Sequence, residues 1–204
     1  AAGDASGASS HKFSSGSLTE GRIAAKAACK YILENNEEPN VDMAKVEELK
    51  TITLKPLDTF AAHQAASTDP DINPHYLRPK MAMFRLQKIM DEYAGGVSTN
   101  FMTSKENLEK GLELLDWLKE DYEHLGAENL HELLRCWENI HRTWQAESHI
   151  RTILFREETR WPGYYFRSDM PSMDDENWNV FVNSRWDPAS GEWEMTKKPI
   201  HLIF

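Results

Sequence analysis

The chain has 204 residues, 33 acidic and 23 basic side chains, a formal charge of -10, and 40% hydrophobic with 10% aromatic content. That composition supports a folded core and excludes a disordered tail, while the acidic balance argues against unaided capture of nucleic acid, which rests on Lys and Arg neutralising phosphates. No apolar run approaches the roughly 20 residues of a membrane helix, residues 1–4 carry no export signal, and Cys29 and Cys136, far apart, exclude a disulfide framework or self-contained iron–sulfur site and suit a reducing cytoplasm.

The opening AAGDASGASS lacks an initiator Met and reads as the middle of a glycine-rich ligand loop, so the chain is expected to be a piece of a longer one. A Gly3-Asp4 pair ending a strand can present one carboxylate to sugar or ribitol hydroxyls. Ser14-Ser15-Gly16-Ser17 brings unpaired amides toward a ligand at a helix start, where the dipole favours negative charge by a few tenths to about 1 kcal/mol in exposed settings. The same residues also read as a small turn that merely caps a helix. Ser17-Leu18-Thr19-Glu20 fits a capping box, with the Glu20 carboxylate reaching back to the Ser17 amide, which starts the helix at Ser17. Ile23, Ala24, Ala27, Ala28, Tyr31 and Ile32 form a thin face for packing on a sheet or ligand, and Asn35-Asn36 and Pro39 end it.

Residues 37–78 read as an irregular connector, with a short helix over 42–50, a short strand over 51–55 and turn chemistry around Asp69-Pro70 and Asn73-Pro74. Three helices follow. Met83, Leu86, Met90 and Tyr93 mark the first, broken by Gly95-Gly96; Leu108, Leu112, Leu115, Leu118 and Tyr122 mark the second, which starts near Ser104. Leu130, Leu133, Trp137, Ile140 and Trp144 mark a third with no Gly or Pro before Pro162, hence roughly 30 residues long. Short connections between three apolar stripes imply an antiparallel bundle. In the tail, residues 180–186 and 192–198 flank Asp187-Pro188-Ala189-Ser190-Gly191, a turn between two strands. Four of seven tryptophans fall in this tail, which should pack on the bundle, another chain or both.

Metal motifs fail on inspection. His131-Glu132-Leu133-Leu134-Arg135 has Arg where a zinc helix needs its second His, and Asp69-x-Asp71-x-Asn73 has Pro74 where a calcium loop needs Gly. Glu138 with Arg142 and Glu147 with Arg151 read as solvated helix-face pairs. Arg156, Glu158, Arg160 and Arg167 surround the aromatic run 161–166 and read either as a docking surface or as a ligand wall.

AAGDASGASSHKFSSGSLTEGRIAAK resembles the second flavin-binding motif of the succinate dehydrogenase and fumarate reductase flavoprotein superfamily. Arg156-Glu157-Glu158-Thr159-Arg160, Asp169-Met170-Pro171 and the segment ending at Trp178 resemble that superfamily's C-terminal region. Within it, SSHKFSSGS departs from the dicarboxylate enzymes' Asn-Arg-Leu-Gly-Gly-Asn-Ser: Lys12 stands where they place a substrate-binding Arg, and Lys cannot form the bidentate fork that a carboxylate takes. KMAMFRLQKIMDEYAGG, LHELLRCWENIHRTWQAE and FVNSRWDPASGEW are instead similar to the α subunits of dissimilatory adenylylsulfate reductases.

The resemblance implies a mainly α chain: the last loop and helix of an FAD-binding α/β domain (1–36), the connector (37–78), the C-terminal helical bundle of a fumarate reductase-like flavoprotein (79–160) and a tail with a β-hairpin (161–204). It implies FAD as cofactor, interconversion of adenylylsulfate with AMP and sulfite through an FAD–sulfite adduct, and a cytoplasmic iron–sulfur β subunit that carries the clusters. Gly3 and Asp4 would serve the ribitol side of FAD, Ser17 and Leu18 would offer amides to the isoalloxazine edge, and Ser15 and Gly16 would shape the approach. Lys12 and His11 are further candidates for the substrate or flavin environment, with no chemical step assigned and no metal ligand expected. The rival readings are a succinate dehydrogenase, fumarate reductase or L-aspartate oxidase-type flavoprotein and, from another class, a noncatalytic helical interaction module.

Overall fold

The computed structural model describes residues 2–3, 14–35, 38, 40–160 and 164–200, apart from the side chain of Ser15. The chain divides into two compact units, Ala1–Glu48 and Leu49–Phe204, with the boundary inside one helix. In the first unit, α1 spans Ser14–Glu34. It begins three residues before the expected Ser17. Its expected packing face is open: Ile23, Tyr31 and Ile32 are 63–66% exposed.

The expected connector is largely a helix, α2 (Met43–His63), and the strand expected over 51–55 lies inside it. The β-branched run Thr51-Ile52-Thr53 favours a strand locally, but Leu57 and the buried Pro56 and Phe60 recur at helical spacing, and packing of that stripe decides the outcome. Pro56 cannot donate to the preceding turn. Nearby carbonyls find partners elsewhere: the Trp137 indole N–H donates to Thr53 O at 3.0 Å and the Ala127 amide to Pro56 O at 2.9 Å.

The bundle of the second unit is α3 (Pro79–Tyr93), α4 (Lys105–Asp121) and α5 (Leu130–Phe155). Their starts follow local chemistry. Pro79 occupies the first position of α3, where a missing N–H is harmless, and Ser104 and Asn129 accept amide hydrogens from Asn107 and Glu132 as N-caps of α4 and α5. The main core joins Leu86 and Ile89 of α3, Leu108, Leu115 and Leu118 of α4, and Ile150 and Ile153 of α5. Gly111 lets the three helices close up, since a Cβ there would lie 3.2 Å from Ile150 Cδ1 and 3.3 Å from Tyr93 Cβ. A second cluster gathers Leu125, Leu133 and Cys136, and burial pushes the Cys136 thiol up to about 12, with Glu132 adding to the effect.

α5 is 26 residues long and stops at Phe155, short of the run to Pro162 that the absence of breakers implied. Its end is set from a distance. Arg167, 1% exposed, donates from Nη1 to Ile153 O at 2.8 Å and to Leu154 O and Arg156 O more weakly, so one guanidinium satisfies the last carbonyls of the helix. Arg167 is held by β2 (Phe166–Arg167), which pairs in parallel with β1 (Met102–Thr103). A single-turn helix α6 (Asp175–Trp178) leads into the expected hairpin, β3 (Val180–Asp187) and β4 (Glu192–Pro199), antiparallel with Trp186 opposite Trp193. Asp187 closes the turn by accepting from the Ala189 amide and the Ser190 hydroxyl.

Candidate functional site

Two places carry more polar chemistry than packing requires. The first is the start of α1. Its first described turn is Ser14-Ser15-Gly16-Ser17. The Glu20 carboxylate, read as reaching back to the Ser17 amide, accepts from the Gly3 amide, with N to Oε2 at 2.9 Å. Gly3 is buried with φ of +67°, a conformation that favours glycine, and a Cβ on it would stand 3.2 Å from Ser17 Oγ. Gly3 and Ser17 thus meet at the base of α1, and the Leu18 side chain is 75% exposed. Asp4, His11 and Lys12 lie outside the described residues.

These residues suit an electron-rich cofactor. Fixed amides at a helix N-terminus favour anionic groups, and small residues with a left-handed glycine allow backbone to come close to a ring or phosphate. Of the residues expected at FAD, Gly3, Ser15, Gly16, Ser17 and Leu18 are among those described.

The second place is the junction of α5 with the tail. Glu158 is fully buried and accepts from Arg160 Nε at 2.6 Å, Arg160 Nη2 at 2.9 Å, the Asp174 amide at 2.8 Å and Arg156 Nη1. Burial alone would raise its carboxyl, but the hydrogen bonds from Arg160, Asp174 and Arg156 outweigh that and hold it below the ordinary range. Arg156 also donates to Trp178 O at 2.9 Å and Val180 O at 2.8 Å, and Arg160 reaches Asp175 at 2.8 Å. Among the described residues the partners of the arginine cluster are internal: these groups pair with each other and bolt the tail to the helix.

Sequence reasoning missed a second internal network. Glu147 and Arg151, read as a solvated pair, surround a carboxylate that is 5% exposed. It accepts from Lys119 Nζ at 2.6 Å, Arg151 Nε at 2.9 Å and the Trp193 indole N–H at 2.9 Å, while Ser148 and Ser184 share a hydroxyl pair at 2.7 Å. The usable signal was the hairpin alternation, which sends Trp193 and Ser184 to one face, toward α5. Above this floor Lys119, Trp144, Glu147, Trp186 and Trp193 line a groove of about 450 Å³. Trp193→Phe keeps a ring and removes the donor, so a loss on the order of 1.5–3 kcal/mol is expected in thermal unfolding.

Comparison with known proteins follows the same division. Residues 83–203 match the family described as fumarate reductase flavoprotein C-term. The chain is similar to adenylylsulfate reductase subunit alpha of Megalodesulfovibrio gigas, 47% identical over 200 residues that make up 98% of this chain and 30% of that protein. Among solved structures it is similar to adenylylsulfate reductase of Archaeoglobus fulgidus, at 53% identity and a TM-score of 0.90 over 94% of this chain and 30% of that one. An adenosine-5-phosphosulfate reductase in complex with sulfite, as a covalent adduct, matches equally at 53% identity and a TM-score of 0.90, again over 94% and 30% of the two chains. The chain thus spans about 30% of the length of the relatives it matches.

Proposed function

The chain belongs to the fumarate reductase flavoprotein C-terminal family, and we propose that it serves as the C-terminal part of the flavoprotein α subunit of an adenylylsulfate reductase. In this reading the whole protein is a cytoplasmic FAD-dependent oxidoreductase interconverting adenylylsulfate with AMP and sulfite. The observation that carries it is the 47% identity across 98% of the chain to such an α subunit. The open apolar face of α1 supports it: Ile23, Tyr31 and Ile32 are exposed together and would be covered by the remainder of a chain about three times as long.

FAD, when bound, takes up the electron pair released on sulfite oxidation and returns it in the reverse direction. Gly3, Ser15, Gly16, Ser17 and Leu18 would hold it, with Asp4 proposed on the ribitol side. In this reading amides at the start of α1 would meet negative charge placed opposite them without reorganisation.

Electrons must come from a partner, since Cys29 is exposed, Cys136 is buried, and neither has a second thiol beside it. An iron–sulfur β subunit is proposed for that role. No helix among the described residues is long and apolar enough to cross a membrane. The arginines at the end of α5 are engaged internally. The half-exposed Trp144 and Trp186 are a part of the described surface whose composition suits an interface centre.

The test uses the oxidised full-length protein. Added sulfite is expected to bleach its long-wavelength flavin absorption, and AMP with sulfite to drive reduction of an added electron acceptor. Oxidation of succinate in place of sulfite would overturn the assignment, as would a full-length protein without flavin.

A further inference from the structure

The base of α1 holds a contact that neither helix formation nor core packing accounts for. Gly3 and Glu20 are 17 positions apart, yet the Gly3 amide donates to the Glu20 carboxylate at 2.9 Å. Ser17 and Glu20 are three residues apart and so share one face of the helix. That face grips Gly3 twice: by the hydrogen bond from its amide, and by close approach of Ser17 Oγ to the position where any other residue would carry a Cβ, 3.2 Å away.

We propose that Glu20 is a positioning residue for the cofactor: its carboxylate clamps the main chain at Gly3 against α1 and so fixes the spacing between Gly3 and the start of that helix. The inference rests on the FAD reading and adds to it a residue that touches no cofactor atom. Glu20 is six positions beyond Ser14, about 9 Å along the axis, so the acid holds Gly3 from about 1.7 turns below the first described residue of the helix. A surface carboxylate that only kept the helix soluble would have no need of a buried, left-handed glycine. The clamp does need one, because φ of +67° is the backbone state in which the Gly3 amide meets Glu20.

The experiment uses the full-length flavoprotein subunit, stripped of FAD and retitrated. Glu20→Ala is expected to weaken FAD binding about tenfold, as for loss of one charge-assisted hydrogen bond, and to speed hydrogen exchange at the Gly3 amide in the apo-subunit. Glu20→Gln retains an oxygen that accepts the same N–H and is expected to stay within about twofold of the wild type in both measurements. Because Gln carries no charge, this split separates a positional role from a direct electrostatic effect on the flavin. Gly3→Ala attacks the clamp from the other side with Glu20 intact and is expected to share the weakened binding. Wild-type affinity in Glu20→Ala, or a Glu20→Gln as weak as Glu20→Ala, overturns the clamp and leaves the cofactor reading standing. A wild-type subunit that takes up no FAD overturns both.

Discussion

Glu158→Ala is expected to destabilise the second unit by about 3–5 kcal/mol, the range for removing one partner of a buried ion pair, and to free the tail from α5. The carboxylate is fully buried, and three of its donors are arginine nitrogens. Without it Arg160 keeps Asp175, while Arg156 keeps the carbonyls of Trp178 and Val180 and, among the described residues, no neutralising charge. Trp178 is the readout. Its ring packs edge-on against Phe155 at 5.6 Å and lies 3.3 Å beneath Lys197 Nζ, so tail release transfers a buried indole to water and shifts its fluorescence along with the thermal midpoint. An unchanged midpoint in Glu158→Ala would contradict the arrangement. Acid should mimic the substitution. The folded carboxyl is held below its ordinary value of 4.5, so its contribution is complete above about that pH, erodes as pH falls below it, and is gone once the folded group itself protonates. Asp169, held low first by Arg167, acts in the same direction from an ordinary value of 3.8.

Arg167→Leu should cost a similar 3–5 kcal/mol, and here the conservative replacement is the sharper probe. Arg167 Nε and Nη2 grip both oxygens of Asp169, at 2.8 and 2.6 Å, while Nη1 turns to Ile153 O. Lys has one ammonium and cannot serve a carboxylate fork and a helix end together. Arg167→Lys is therefore expected to recover less than half of the loss in denaturant unfolding. Hydrogen exchange should rise in the last turn of α5, where carbonyls lose their donor, and a Lys variant as stable as the wild type would contradict this account of how α5 ends.

Local rules carried the bundle far. Leu86, Leu115 and Ile150 lie in one core because three- and four-residue spacing is sufficient to orient a helix whose neighbours are joined by short turns. The hairpin was legible for a comparable reason, since Asp187 through Gly191 contain their own turn chemistry. What escaped depended on partners distant in the chain. Glu20 carried a genuine capping signature, yet its carboxylate went to Gly3, and Glu147 looked solvated until Lys119 and Trp193 closed over it. The strand expected at Thr51 failed because Pro56 and Phe60 pack better on one helical face than β-branched residues pair without a neighbour strand. At the candidate site, the glycine and serine types directed attention to the start of α1, and the contacts of Gly3 with Glu20 and Ser17 there join residues too far apart in the chain for local rules to pair.

The cross-strand pair Trp186 and Trp193 has an optical consequence. Two indoles 5.7 Å apart and inclined at 61° have excited states that couple, which splits their ultraviolet transitions into a circular-dichroism couplet of opposite signs. The hairpin therefore carries its own chromophore pair, and the couplet's amplitude reports strand closure without any label, in the isolated chain or within a larger assembly.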